Sequence, residues 1–589
     1  MSYTGKWIHI DLSTGEYKTG EPDQELLEKY IGGKGLGFAL LNKMAPKPDP
    51  LGSENPLIFI NGPFTGSKVQ TSARTALVSK SPLTNSIHDC HCGGFFGPAL
   101  KRAGYDYLIV TGKSEKPVYI YIYEDKIEIK DATDFWGKGI FETNDKLIEI
   151  HKGNDPRIAA IGQAGENLSR MACIGVDKHR QFGRGGLGAV MGSKKLKAVV
   201  VDGKKAIEYY DEEKFKKLNK KFAKDLLTSD DIKDRRKKGT LRTLRQAQTF
   251  RFLPTKNYQE VEYDEFENLT SETARKVLDW EDTSCYGCAI QCSKWAKWDG
   301  HKIEGPEYET TAFLGSGCDI SDIKDVSFAN EICNDVGLDT ISTGVTCSFA
   351  MECYEKGLLD NWDGLKLEWG NAEAQREFLE MITYRKGIGK IFADGTKVAS
   401  EKIGKGSEKF AMNVFGMEIS GVNPLGSLTM GVADVVSDFA SHTRLWCTEA
   451  EMGEDFKIED IPETVAKGLD EVNTRNSLIA CDFVSLGLGR MVPLLNAAIG
   501  SDYTEEALME VGRRITHLSR VYNLRNGRTY KDDILPERFF NVKSLAGFME
   551  GKVLDKEFFK DLVHQVYEIR GWNDKGEPTE EILKEYSIK

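Results

Sequence analysis

The stretch that most constrains this chain is Cys285-Tyr-Gly-Cys288-Ala-Ile-Gln-Cys292, with three cysteines inside eight residues at Cys-x2-Cys-x3-Cys spacing. The connecting backbone is too short to send the thiolates apart, so they converge on one centre. Soft sulfur ligands at such spacing select zinc or an iron–sulfur cluster. Three ligands are one short of the usual four, and the best candidate for the fourth is remote, at Cys481. A local triad with one distant cysteine suits a buried 4Fe–4S cluster that ties two halves of a chain together. Zinc sites usually read as two Cys/His pairs, and no second pair accompanies this one. A zinc clip and plain buried cysteines are the competing readings.

Length and composition narrow the class. At 589 residues the chain exceeds one hydrophobic core, and about three domains are expected. No run approaches the ~18 apolar residues of a membrane span, and the first residues have no apolar signal region, so a cytoplasmic location without membrane attachment is expected. Twelve cysteines in so long a chain are not a disulfide scaffold. A net charge of −12 argues against nucleic-acid binding.

Along the chain, residues 1–130 read as β-rich. Trp7-Ile-His-Ile-Asp-Leu followed by Ser13-Thr-Gly-Glu is a hairpin signal, and Leu57–Ile60, Tyr107–Val110, Val118–Tyr123 and Ala198–Val201 read as strands. Three glycine stretches stand out, at 32–37, 93–97 and 183–188. Glycine lets backbone approach a ligand, and successive amides form anion-binding nests. With Arg74 and Arg184 nearby, the three suggest a bulky phosphorylated ligand; tight turns are the plainer reading. The 183–188 stretch does not read as a strand–loop–helix dinucleotide motif, so no Rossmann domain is expected. Residues 204–280 are polar and helical and carry a basic run, 233–245. That run reads as a solvated face or as a dock for an acidic partner or for substrate phosphates. After the triad, Glu304-Gly-Pro-Glu-Tyr-Glu309 offers carboxylates for acid/base work. Cys318, Cys333, Cys347 and Cys353 read as buried and inert. Asp434, Asp438 and His442 read as ordinary polar residues, with a place in the site as the alternative.

Taken together, Gly183-Arg-Gly-Gly-Leu-Gly-Ala-Val-Met-Gly-Ser-Lys, the cysteine triad, Gly305-Pro-Glu-Tyr-Glu309 and Gly337-Leu-Asp-Thr-Ile-Ser-Thr-Gly344 resemble the tungsten-dependent aldehyde:ferredoxin oxidoreductases. The opening Trp7-Ile-His-Ile-Asp-Leu-Ser-Thr-Gly and Ser79-Lys-Ser-Pro-Leu-Thr84 do so as well, and the resemblance runs from end to end. It implies an α+β chain with a β-rich, cofactor-cradling domain over 1–203 and two mainly helical domains. The first, 204–410, carries the triad, and the second, 411–589, carries the fourth cysteine. It implies a tungsten bis-molybdopterin centre (tungstopterin) beside a 4Fe–4S cluster held by Cys285, Cys288, Cys292 and Cys481. Loops containing His91, Cys92, Gly93, Gly94, Gly185 and Gly186, with Arg74 and Arg184, would cradle the pterin phosphates and a bridging Mg2+. The family's two pterin motifs fall on Asn334 to Asp339 and on Asn476, Ala480 and Cys481. Asn replaces the first Asp of the first motif, and the second keeps only its cysteine.

The implied reaction oxidises an aldehyde to a carboxylic acid, with Glu309 as base and electrons leaving for ferredoxin or a ferredoxin-like subunit. Where the family carries a metal-facing histidine after Asp-Pro-Arg-Gly, this chain reads Asn423-Pro-Leu-Gly-Ser-Leu-Thr-Met430. That substitution keeps a second reading open, a low-potential reductase of acyl-CoA like the class II benzoyl-CoA reductases. A third reading is an electron relay holding only the cluster. The family's Glu-x-x-His subunit bridge reads Phe328-Ala-Asn-Glu331 here, which leaves an oligomer open.

Overall fold

The computed structural model describes residues 2–483 and 487–588. Its first 203 residues build two six-stranded sheets. The first comprises β1 (Trp7–Asp11), β2 (Glu16–Gly20), β3 (Leu57–Ile60), β4 (Thr75–Lys80), β5 (Ile87–Cys92) and β6 (Tyr107–Thr111), in the order β2-β1-β6-β3-β4-β5. β1 and β6 run parallel with Ile8 opposite Leu108, and the other pairs are antiparallel. The second comprises β7 (Val118–Tyr123), β8 (Lys126–Asp131), β9 (Arg157–Ala160), β10 (Ile174–Val176), β11 (Arg180–Phe182) and β12 (Leu196–Asp202), in the order β11-β10-β9-β12-β7-β8.

Strand residues alternate between faces, so each sheet has two sides to bury. Ile8, Leu57, Phe59 and Leu108 of the first sheet share a core with Ile120, Ile174 and Val199 of the second. The first sheet's other face, with Ile58, Ile60, Val78 and Ile109, is covered by helices from both ends of the chain. Those helices are α1 (Gly33–Met44), which follows the hairpin, and elements beyond residue 478. The sheet region thus cannot close its core without the C-terminal helices.

The rest is mainly helical. The elements that matter for the site are α2 (Glu212–Thr228), α3 (Asp230–Lys238), α4 (Tyr308–Leu314), α5 (Ile323–Val336), α6 (Thr340–Glu355), α7 (Leu428–Val436), α8 (Ile461–Leu478) and α9 (Glu505–Arg525). Their ends follow capping chemistry. Asp211 and Thr504 accept backbone N–H groups at the starts of α2 and α9, and Gly337, in the left-handed region at φ 79°, closes α5. Three short strands, β13 (Glu281–Thr283), β14 (Ser293–Trp298) and β15 (His301–Glu304), form a small meander. The cysteine triad is the loop between β13 and β14, and Glu309 enters the first turn of α4 directly after β15. One meander therefore delivers both the thiols and the carboxylate. Among the described residues, no helix is long and apolar enough to cross a membrane.

Two sequence expectations need correction. The 32–37 glycines do not form a ligand loop; most lie in α1. A Cβ on Gly33 would lie 2.4 Å from the Asn476 carbonyl oxygen, and one on Gly37 would lie 2.6 Å from Val78. These glycines let α1 pack tightly against α8 and the first sheet. The 183–188 stretch does connect a strand, β11, to a helix, Leu187–Ser193. The sheet is mixed and largely antiparallel, and the helix spans only seven residues, so no Rossmann unit results.

Candidate functional site

A cavity of about 300 Å³ lies where the sheets, the meander and the helices meet. Cys285, Cys292 and Cys481 line one end of it. Cys288 sits behind them, packed against the apolar core. Several backbone and amide contacts hold this end. The Cys481 amide donates to the Thr71 carbonyl at 2.9 Å, which fixes the remote cysteine to the sheet region. Gln70 clamps the cysteine loop, donating to the Gly287 carbonyl at 3.0 Å and accepting from the Ala289 amide at 2.7 Å. Gly93 passes so close that a Cβ there would lie 2.8 Å from Cys285 Sγ.

At this end burial raises the thiols and the guanidiniums oppose it. Burial pushes the Cys481 thiol up to about 12, with Arg74 pulling it down. Burial alone would lower Arg74 and Arg180, but neighbouring acids and thiols outweigh it and raise both. Arg74 pairs with Asp482 at 2.7 Å, and Arg180 pairs with Glu304. Among the described residues, no three His, Cys, Asp or Glu side chains are disposed around a single ion. Thiols spread over one cavity wall suit a multinuclear cluster better than a one-ion zinc cage.

At the other end stands Glu309. Its Oε2 accepts the Gly421 amide at 2.9 Å, and His442 Nδ1 lies 3.1 Å from its Oε1. Gly421 is glycine by necessity, since a Cβ there would lie 2.7 Å from Glu309 Oε1. Burial raises the Glu309 pKa, while His442 and Arg184 hold it down. Asp434 of α7 is pushed up to about 7 by burial, with Arg184 opposing and Glu309 adding to the rise. His442 is thus not the ordinary polar residue its sequence position suggested. Nothing local marks it, because its partner is far upstream. Met430, expected to face the metal, does not line the cavity. It is buried, with its sulfur 3.4 Å from the Cys447 sulfur.

The cofactor-cradling residues divide. Arg74, His91, Gly93, Arg184, Asn334, Asp339 and Asn476 line the cavity; Cys92, Gly94, Gly185, Gly186 and Ala480 do not. Gly185 and Gly186 stand at φ 80° and 76°, and a Cβ on Gly185 would strike the His88 ring at 2.4 Å. Their role is to shape the loop that presents Arg184. The Arg184 guanidinium reaches Asp339 at 3.4 Å and the Ala440 carbonyl at 3.1 Å, so it also ties the sheet region to the helices. Asp339 meanwhile caps α6 through the Ile341 and Ser342 amides. Asn334 accepts from Gln181 at 2.6 Å and donates to Asn330 at 3.3 Å, so this uncharged replacement is held in place.

A buried charge cluster went unread in the sequence. Lys34 lies 2.6 Å from Asp438 and 3.6 Å from Asp89, and Arg444 lies 2.9 Å from Asp89. Burial alone would raise Asp89; Arg444 and Lys34 reverse that. His91 completes the cluster at 2.8 Å from Asp89. His91 Nδ1 and Arg444 Nη1 are buried without hydrogen-bond partners. With the guanidinium and amide groups along the wall, they fit a large anionic ligand rich in hydrogen-bonding atoms. The basic run 233–245, in contrast, is mostly neutralised. Lys233 pairs with Asp230, Lys238 with Asp234, Arg242 with Asp231 and Arg245 with Glu267. It is not the free dock its composition implied.

Family models match the chain on both sides of this cavity. The N-terminal domain of aldehyde ferredoxin oxidoreductase matches residues 7–203, and domains 2 and 3 match residues 217–588. The chain belongs to the aldehyde ferredoxin oxidoreductase family. Like the tungsten-containing aldehyde ferredoxin oxidoreductase of Thermococcus kodakarensis, it spans the whole enzyme, with 37% identity over 99% of this chain and 98% of that one. A second branch is also similar. The WOR-like subunit of the aliphatic sulfonate oxidoreductase of Pyrococcus furiosus is 33% identical over 100% and 97% of the two chains. Among solved structures, the active-site complex BamBC of benzoyl coenzyme A reductase, with 1,5-dienoyl-CoA, superposes at a TM-score of 0.85 and 26% identity. That match covers 100% of this chain and 97% of the other. Members of the aldehyde ferredoxin oxidoreductase family are oxidoreductases, and the expected α+β order of a β-rich region followed by helices is the order found.

Proposed function

We propose that the protein oxidises an aldehyde to a carboxylic acid, RCHO + H2O → RCOOH + 2 H+ + 2 e−, and passes the electrons to ferredoxin or a ferredoxin-like subunit. The observation that carries this reading is the Glu309–His442 pair, buried in the same cavity that Cys285, Cys292 and Cys481 line. Identity of 37% to a tungsten-containing aldehyde ferredoxin oxidoreductase supports the substrate class.

Cys285, Cys288, Cys292 and Cys481 would hold a 4Fe–4S cluster. Arg74, Arg184, Asn334, Asp339 and Asn476, with the loops at 91–94 and 183–186, would hold a tungsten bis-pterin and the Mg2+ between its phosphates. The donor set fits such a group, since guanidiniums, amides and the unpartnered His91 and Arg444 nitrogens all border the cavity. When bound, the tungsten–pterin centre supplies a two-electron sink and the cluster a one-electron outlet. Glu309 takes the proton of the attacking water. Its raised pKa makes it a stronger base than an exposed carboxylate, and the Gly421 amide fixes the oxygen that does not face His442. His442, beside that carboxylate, holds its pKa down and so helps keep the base deprotonated. Asp434, pushed up to about 7, adds a second protonatable group behind them.

Replacing Glu309 by Gln keeps the shape and removes the base. Turnover with aldehyde should fall ~10²–10⁴-fold with tungsten and iron contents unchanged. Full activity in that variant removes the role. The BamBC likeness favours a second reading, reduction of an acyl-CoA. Substrate-dependent oxidation of a reduced dye by an aromatic acyl-CoA, with no aldehyde-dependent dye reduction, would select it.

A further inference from the structure

We propose that a small acidic iron–sulfur carrier docks over the loop between β13 and β14, centred on Gly287. The proposal rests on the reading of the four cysteines as cluster ligands. Gly287 is the exposed crest of that loop, between Cys285 and Cys288. A carrier seated there would stand nearer to these sulfurs than one on any face behind the sheets or helices.

Unpaired cations lie on the segments beside the crest. The exposed Lys68 has its Cα 3.7 Å from where a Gly287 Cβ would be. Asn219 of α2 donates to the Lys68 carbonyl at 3.1 Å, which packs α2 against the Lys68 loop, and the exposed Lys220 follows it on that helix. Arg102 donates to the Tyr286 hydroxyl at 3.4 Å. The exposed Arg490 shares a crevice with Gln70, the residue that clamps Gly287. Arg235 lies over the Phe483 ring at 5.6 Å. None of these five cations has an ion-pair partner among the described residues; of the acids nearby, Asp482 is engaged by Arg74 and Asp234 by Lys238. In a chain of net charge −12, a group of unpaired cations on the segments beside this loop is the complement of an acidic protein. The step itself is an outer-sphere transfer: one electron leaves the reduced cluster, the carrier's oxidised cluster takes it, and no bond forms.

The test uses the anaerobically purified holoenzyme and a K68E/K220E/R490E variant of equal iron content. With an acidic bacterial ferredoxin at low ionic strength, the variant's kcat/KM should fall ~10-fold or more, while benzyl viologen reduction is unchanged and the gap narrows at ~0.5 M NaCl. Unchanged ferredoxin kinetics with an intact dye rate overturn the dock, as does an equal loss of both rates. Carbodiimide cross-linking of oxidised ferredoxin to the wild-type enzyme needs no turnover. Adducts at Lys68 or Lys220 support the dock even if no aldehyde is oxidised, and adducts confined to other faces overturn it.

Discussion

At the sulfur end of the cavity, Arg74 and Arg180 stand among Cys285, Cys292 and Cys481, and acids and thiols together hold both guanidiniums charged. At the carboxylate end, burial dominates, and Glu309 and Asp434 are both raised while Arg184 opposes. The first end sets two charged guanidiniums beside buried thiols. The second is built to let a proton come and go. One cavity holds both groups because its walls come from separate elements, with the Arg184–Asp339 pair also on its lining. The comparison teaches that electron and proton handling are divided in space, so each end should fail in its own way when cut.

The largest effect is expected at the sulfur end. Cys481→Ser removes the only ligand that comes from outside the triad, and the protein should lose most of its iron and both ferredoxin and dye activity. Iron analysis and the electron paramagnetic resonance of the reduced protein check this, and a full complement of four irons would break the comparison. At the other end, His442→Ala should leave the metals in place and lower turnover ~10-fold. His442 now holds the Glu309 pKa down, and the base works only when deprotonated. Removing it should therefore raise that pKa and move the rising limb of the pH–rate profile to higher pH. A profile that stays in place would mean that His442 does not act on Glu309.

The smallest effect concerns stability. Asp434 has a folded-state pKa of about 7 against an ordinary 3.8. The folded state binds the proton more tightly, so its contribution is fully present below the ordinary value and is lost as pH rises through about 7. The loss is on the order of 4 kcal/mol at most. Asp434→Asn should thus melt higher than the wild type at pH 8 and lose that advantage near pH 4–5. A constant difference across that range would place the cost elsewhere.

The triad was legible because its chemistry is local, with three thiols in eight residues and no room to diverge. The strands and the hairpin were legible because alternation and turn residues act over a few positions. The Gly32–Gly37 stretch misled because glycine serves two purposes, approach to a ligand and approach to another helix, and sequence does not distinguish them. In the basic run the solvated-face reading was the plainer one, and the pairing is visible only in part from sequence. Its cations are local, but Glu267, which neutralises Arg245, is not. Lys34, Asp89 and Arg444 were missed because each depends on a partner from a distant segment.

By itself, the sequence determined the clustering of three cysteines and the order of a β-rich region followed by helices. It also placed Glu309 on the same meander as the cysteines. Those follow from short-range covalent geometry and from the burial periodicity of strands and helices. Only the tertiary structure decided that His442 meets Glu309, that Met430 turns into the core, and that unpaired cations lie on the segments beside the Gly287 loop. Each of those depends on which segments pack together, and close packing excludes water and sets the electrostatics of every group it encloses.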